Sequence, residues 1–382
     1  MTERIAINAD LDFVQGLLKD GAGDLKYCYQ CSTCTVACPA TPDGSPFPRK
    51  EMIHAQWGLK DRLLKSMDAW LCLNCNDCST HCPRGANPGD VMAVIRSKAV
   101  QHFSTPGFIA RAANTPSKIW MLFLIPMAII GAVIFAINAP SGFAFLSGDI
   151  VFSRMLPVPV VDAIFIPTFA FAAITAMLGL KRFIAGLKEE HPANGRGQGL
   201  IPATVGTLVD ILTHKPFREC GTNHSRSNAH MLTMYGFLGL GLTTTLVAIV
   251  YYLDKFGFQV DVTPLPFANP IKILGNVSGL LALTGILLVL MRRLSSKEGG
   301  VTVSFDMIFI LVILLTVLSG FLAQATRVMN LASLAYFIYY AHLVFVFFLL
   351  AYAPHTKFAH IFYRTAAMIY HRMSGRSAPQ EG

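Results

Sequence analysis

Eight cysteines fall in two runs of one design. Residues 28–39 read CYQCSTCTVACP and residues 72–83 read CLNCNDCSTHCP, so each run is C-x2-C-x2-C-x3-C-P. Three thiolates at this spacing wrap one face of an iron–sulfur cube. The fourth, after a longer gap and ahead of a proline, turns toward a second cube. The spacing therefore predicts one [4Fe–4S] cluster on Cys28, Cys31, Cys34 and Cys82, and another on Cys72, Cys75, Cys78 and Cys38. Zinc sites favour C-x2-C pairs split by a longer insert, a form that two intact four-cysteine runs do not have. The ninth cysteine, Cys220, stands apart. The N-terminal stretch MTERIAINADLDF is acidic and has no apolar core, so no cleavable signal peptide is expected. Cysteines crowded in this way read as cofactor ligands rather than disulfides.

Histidines carry the second chemistry. His230 opens one long apolar run and His342 lies inside another. His360 follows His342 by eighteen residues, so the two would share a face if one helix ran on through Pro354. Two helices that each offer a neutral imidazole can clamp a b-type haem iron. His230 and His360, at the same end of their helices, are the expected pair, with a role as interfacial histidines as the alternative. His342 suggests a second haem, a quinone contact or a structural hydrogen bond, because an ionisable group at that depth is rarely idle. The position ten residues after His230, where a further ligand on that helix would sit, is Leu240. Proton transfer at a quinone needs a titratable neighbour. Asp162 and Asp306 are unusual in apolar segments and are candidates, with helix capping or pairing to an arginine as the alternative. His214 is a weaker candidate of the same kind. The remaining histidines lie in polar segments or near the C-terminus and carry no site assignment.

The elements that must position these residues are legible in composition. The chain of 382 residues is 53% hydrophobic and 14% charged, with mean hydropathy +0.50. Soluble domains are about 45–50% apolar and about 25% charged, so a purely soluble or disordered chain is excluded. Residues 1–117 are polar. Beyond them come six apolar runs, at about 119–138, 159–180, 231–253, 271–291, 304–324 and 331–353. Each is long enough to cross a hydrocarbon layer of about 30 Å as a helix. With residues 1–117 inside, fifteen basic residues after position 117 fall on the inner face and four (Arg154, Lys255, Lys272, Arg327) on the outer. This predicts a multi-pass protein of the cytoplasmic membrane with both termini cytoplasmic. It also assigns the net charge of +9 to a membrane surface rather than to nucleic acid. In the long inner loop, apolar residues at 201, 205, 208, 209 and 212 predict a short surface helix. The 33 residues between Cys38 and Cys72 look helical, and Pro88 opens a further helix. No Walker motif, dinucleotide GxGxxG or zinc-protease motif is present. The expected fold is all-α. Residues 1–117 form a helical ferredoxin, 118–366 a six-helix transmembrane cytochrome b-like bundle, and 367–382 a cytoplasmic tail.

These residues carry a resemblance. Positions about 20–105, with CYQCSTCTVACP and WLCLNCNDCSTHCP, resemble the iron–sulfur C subunit of heterodisulfide reductase. Positions about 160–366, with AHMLTMYGF, AHLVFVF and PHTKFAHIF, resemble its cytochrome b partner and the gamma subunit of respiratory nitrate reductase, where four histidines on two helices hold two haems. This chain has Leu240 at the fourth place, and its first span is extra to the five-helix pattern. The fused arrangement is similar to the C subunit of the quinone-interacting membrane-bound oxidoreductase complexes of sulfate-reducing bacteria. That resemblance implies haem b, menaquinone as membrane substrate, soluble partner subunits with flavin and iron–sulfur clusters, and adenylylsulfate reductase downstream. A membrane heterodisulfide reductase component and a non-catalytic anchor are the competing readings.

Overall fold

The computed structural model of the chain describes residues 8–42, 44–193, 196–215, 224–258, 264–295 and 304–376. Cys220 lies outside them. Among the described residues every regular element is a helix. Helices of fourteen residues or more are labelled α1 (Pro88–Phe103), α2 (Ile119–Asn138), α3 (Val158–Glu190), α4 (Leu200–Thr213), α5 (His224–Lys255), α6 (Pro270–Ser295), α7 (Ser304–Val328), α8 (Ala332–Ala351) and α9 (Ala359–Ser374).

Helices α2, α3, α5, α6, α7 and α8 are long and apolar enough to cross a membrane, and they fall on the six expected runs. Their outward faces carry Trp120, Leu124, Phe169, Leu242, Leu288 and Phe337, all exposed. A surface this apolar is solvated by lipid, not water. Helix α8 lies deepest in the bundle, whereas most of the apolar stretch of α5 faces outward. Helices α5 and α6 approach closely through glycine. A Cβ on Gly285 would meet the Thr233 backbone nitrogen at 2.4 Å, and one on Gly236 would meet that of Ala282 at 2.3 Å. Small residues at such a seam let backbones meet, and this fixes the axis of the helix that carries His230.

The expected insert between the cysteine runs is helical, as Arg49–Gln56, Lys60–Leu64 and Asp68–Leu71. Together with α1 these enclose a core of Leu17, Leu25, Met52, Leu63, Leu64, Met67, Met92 and Ile95, each at most 1–2% exposed. Pro88 occupies the first turn of α1 and Asp90 lies beside it, where a missing N–H costs nothing and a negative charge meets the positive helix end.

The structure settles the condition at Pro354: the last apolar run does not continue through it. Helix α8 ends at Ala351, a 3-10 turn spans Ala353–His355, and α9 begins at Ala359. Proline offers no N–H and its ring crowds the preceding turn; α2 and α3 run on through Pro126 and Pro167, but here the chain turns at Pro354 to pack α9 on the cysteine core. His342 and His360 thus belong to different helices and share no face. Position 366, where the membrane part was expected to end, falls inside α9, which runs on to Ser374. That helix packs its Ala359, Tyr363, Ala367 and Tyr370 into the core of the cysteine domain. Trp70 lies 5.2 Å from Tyr363 and 5.8 Å from Phe183 of α3, ring centre to ring centre. Phe183 lies 5.4 Å from Phe103. This aromatic group joins the membrane helices to the cysteine domain. Beyond it, Arg376 meets the buried carboxylate of Asp68 at 2.8 Å, and Arg372 of α9 meets Asp210 of α4 at 2.6 Å. The short helix expected near 201–212 is α4.

Because α3 runs from one end of the bundle to the other, its two ends give a topology test. A cysteine introduced at exposed Ser147, just before α3, is expected to react with an impermeant maleimide added to intact cells. One at exposed Lys188, on the cysteine-domain end, is expected to react only after lysis. Peptide mass spectrometry reads the modification at each site, and the reverse pattern would place the cysteine domain outside.

Candidate cofactor-binding sites

The two cysteine runs fold into the same local shape. Gln30 and Ser32 in the first, and Asn74 and Asn76 in the second, all have left-handed backbone, with φ of 59°, 71°, 55° and 76°. Each run then enters a one-turn helix, Thr33–Val36 or Asp77–Thr80. Asn and short polar residues bear this conformation best, and alternate left- and right-handed residues curl a backbone around a concavity. The fourth cysteine of each run crosses to the other. Cys28 and Cys34 are in electrostatic range of Cys82. Cys38, Cys72, Cys75 and Cys78 line one cavity together with Pro39, Phe47 and Met92. Among the described residues no three His, Cys, Asp or Glu side chains converge as on a single metal ion. A cube is bound at four separate irons and does not need that convergence. Burial pushes the Cys34 thiol up to about 11 and the Cys38 thiol up to about 12. These thiols stay protonated at neutral pH until metal displaces the protons. Backbone N–H groups of Asn74 and Ala86 point at the sulfurs of Cys72 and Cys82 at 3.4 and 3.3 Å.

At the same end of the bundle three histidines gather. His230 Nδ1 lies 2.7 Å from His214 Nε2. His230 is also in electrostatic range of His360. His214 is the left-handed residue that closes α4 and is 2% exposed. His360 Nδ1 donates to the Lys357 carbonyl at 2.5 Å. A carbonyl only accepts, so Nδ1 holds the proton and Nε2 a lone pair. Burial, together with the charges of Lys357 and Arg364, pushes His360 down to about 4, so the ring is neutral through physiological pH. Neutral imidazole with Nδ1–H engaged is the state in which histidine ligates iron. His342 shows the same arrangement within the membrane layer, Nδ1 donating to the Thr316 carbonyl at 3.0 Å with Ser319 Oγ also at 3.0 Å. Gly320 of α7 allows that ring close, since a Cβ there would meet its Cε1 at 3.2 Å. His355 is fully buried and engages the Thr105 carbonyl through Nε2 at 3.2 Å, at the joint between domain and bundle. Leu240 packs toward Gly279 of α6 within the membrane core.

The structure does not bring the three quinone candidates together. Asp162 accepts from the Tyr252 hydroxyl at the end of the bundle remote from the cysteines. Asp306 lies at the near end, between Arg293 at 2.5 Å and Lys357. His214 faces His230. Asp306 thus has the arginine-paired role that its sequence position allowed. Removing one partner of a buried ion group strands the others, at a cost of about 3–5 kcal/mol. Asp306→Asn is therefore expected to lower the unfolding temperature of the detergent-solubilised protein markedly, as scanning fluorimetry would report. A melting curve that overlays the parent's would show that the triad is not structural.

Two residues escaped the sequence reading. Arg226 on α5 donates to the Asn74 carbonyl, and Arg364 on α9 donates to the Cys72 carbonyl at 3.2 Å. Arg226 lies four residues before His230 and Arg364 four after His360, a shared one-turn offset that the motifs RSNAH and HIFYR display. Arg96 of α1 reaches the same loop, with Nη2 at 3.0 Å from Asn74 Oδ1.

Fold and site together define a multi-pass membrane iron–sulfur protein. The family model of the 4Fe-4S dicluster domain matches residues 24–86, which contain all eight paired cysteines. The chain is 34% identical over 106 residues to the C subunit of the H(2):CoB-CoM heterodisulfide,ferredoxin reductase of Methanothermobacter marburgensis, covering 28% of this chain and 55% of that protein. It is 25% identical over 183 residues to the E subunit of the dihydromethanophenazine:CoB--CoM heterodisulfide reductase of Methanosarcina acetivorans, covering 46% of this chain and 67% of that one. The chain thus fuses an iron–sulfur domain like the first of these relatives to a membrane part similar to the second. It spans about half the length of the iron–sulfur relatives it matches. Citrate utilization protein B of Escherichia coli is 27% identical over 82% of this chain and 83% of its own length. No solved structure matches the chain.

Proposed function

We propose that this chain is the membrane subunit of a quinone-linked respiratory complex, passing electrons between menaquinol and cytoplasmic partners that hold flavin and iron–sulfur clusters. One observation supports the reading above others: His214, His230 and His360 gather at the end of the bundle that bears the cysteine domain. When bound, a haem b and two [4Fe–4S] clusters would supply one-electron carriers there. His230 and His360 would hold the haem iron through Nε2, and the cysteines would hold the cubes in the two crossed sets. Deep in the bundle, Nε2 of His342 would face a second haem or accept a proton from quinol. Asp162 with Tyr252 is a titratable pair suited to take a quinol proton at the far end. The termini would be cytoplasmic. Adenylylsulfate reductase, the downstream partner that the resemblance implies, belongs to this same proposal.

A component of a membrane heterodisulfide reductase is a second reading, and the likeness to two different subunits of such enzymes favours it equally. Anaerobic addition of a menaquinol analogue to the oxidised, purified chain is expected to bring up reduced b-type bands. If no band develops, and a heterodisulfide instead reoxidises the dithionite-reduced protein, the second reading takes its place.

A further inference from the structure

We infer that Arg226 and Arg364 bracket the histidine helices to the Cys72–Cys78 loop, making this the inner of the two cysteine loops and Cys28–Cys34 the outer. The inference rests on the proposed haem and clusters for its redox consequence, and on contacts alone for its geometry. Each arginine shares a helix face with its histidine one turn away. Their guanidinium groups reach successive parts of a single loop, the carbonyls of Asn74 and Cys72. Arg96 adds a third, donating to the Ala69 carbonyl at 2.9 Å and to the Asn74 side chain. Three cations therefore crowd the Cys72 side.

The first loop is held differently, by residues of the cysteine domain itself. Gln56 donates to the Leu25 and Cys28 carbonyls at 3.3 and 3.0 Å, and Arg84 to the Tyr29 hydroxyl at 2.9 Å. That loop also faces outward. Cys31 is exposed, and beside it Tyr29 and Val36 are 68% and 88% exposed, whereas Cys78 is buried. Positive charge beside an anionic four-thiolate cube favours its reduced form. A turn of helix plus one charge-assisted hydrogen bond also makes a short bonded path from imidazole to cysteine. With both groups bound, a haem held by His230 and His360 would give one electron along this path to a cube held at the Cys72–Cys78 loop, the first oxidised by one and the second reduced by one. A cube held by the first run would take it next, at the edge where Cys31 is exposed.

The test uses the full chain in detergent, with Arg226→Gln, Arg364→Gln and their double variant, and Arg84→Gln as the outer-loop control. Haem and iron content of the parent are measured first. A parent without haem or without clusters would overturn the cofactor reading itself, before any arginine is touched. With cofactor content intact, the double variant is expected to slow haem-to-cluster electron exchange after rapid quinol mixing by roughly tenfold or more, as removal of outer-shell groups commonly does. Its paramagnetic resonance spectrum should change in one cluster signal only, the one that Cys75→Ser also perturbs. Arg84→Gln should leave that signal alone. If the double variant loses cofactor, Arg364→Lys, which keeps charge but not the fork, carries the test and should give the same one-signal change. An unchanged exchange rate, or a change confined to the signal that Cys31→Ser perturbs, would overturn the assignment.

Discussion

Replacing either His230 or His360 with alanine is expected to remove one b-type haem while both iron–sulfur clusters stay assembled. Each ring is half-buried at the cysteine-domain end of the bundle and has its Nδ1 engaged, by His214 for the first and by the Lys357 carbonyl for the second. An alanine offers no donor, and Phe237, Phe309 and Phe358 pack together beside His360, an apolar surface that a porphyrin would cover. The clusters should survive, because their cysteines lie on loops of a domain with its own core. His342→Ala should leave this haem in place and alter only what happens deeper in the membrane. His214→Ala keeps His230, the proposed iron ligand, but frees its ring, so haem affinity should fall by about 10–100-fold, the usual cost of losing a ligand's hydrogen-bond partner. Pyridine haemochrome content and redox-titrated visible spectra read all four variants. Full haem with unchanged potentials in both His230→Ala and His360→Ala would refute the pair.

Cys38→Ser should damage the cluster on Cys72, Cys75 and Cys78, although Cys38 belongs to the other sequence motif. Cys38 lines the same cavity as those three, while Cys82 stands with Cys28 and Cys34. The parent should carry about eight irons and eight acid-labile sulfides, and the variant about four to seven irons, depending on whether a three-iron cluster survives. Cys82→Ser is the mirror experiment and should strike the signal shared with Cys28, Cys31 and Cys34. Paramagnetic resonance of the reduced proteins separates the two. Loss of the Cys28 signal in Cys38→Ser would mean that each run binds its own cube.

Much of this protein was legible along the chain. Cluster chemistry shows in the cysteine spacing because neighbouring thiolates wrap a cube through short loops whose shape is local. The six spans are equally plain, since lipid demands about 20 consecutive apolar residues and leaves little room for ambiguity. Helix α4 declared itself by a one-faced period, and the pairing partner of Asp306 was among the stated alternatives. The histidine assignments came from depth along each span, which put His230 and His360 at one end of the bundle, where the structure places them in range of each other. They could not say that Pro354 divides His342 from His360, because whether a helix bends or breaks at proline depends on what packs against the freed turn. The remaining features belong to tertiary structure alone. Helix α9 docks on the cysteine core through Tyr363 and Tyr370, His214 meets His230 sixteen residues along the chain, and Arg364 meets Cys72 across 292 residues of chain. No local spacing encodes such pairs. They are chosen when two buried surfaces close on each other, and each buried donor then has to find an acceptor that the other surface happens to present.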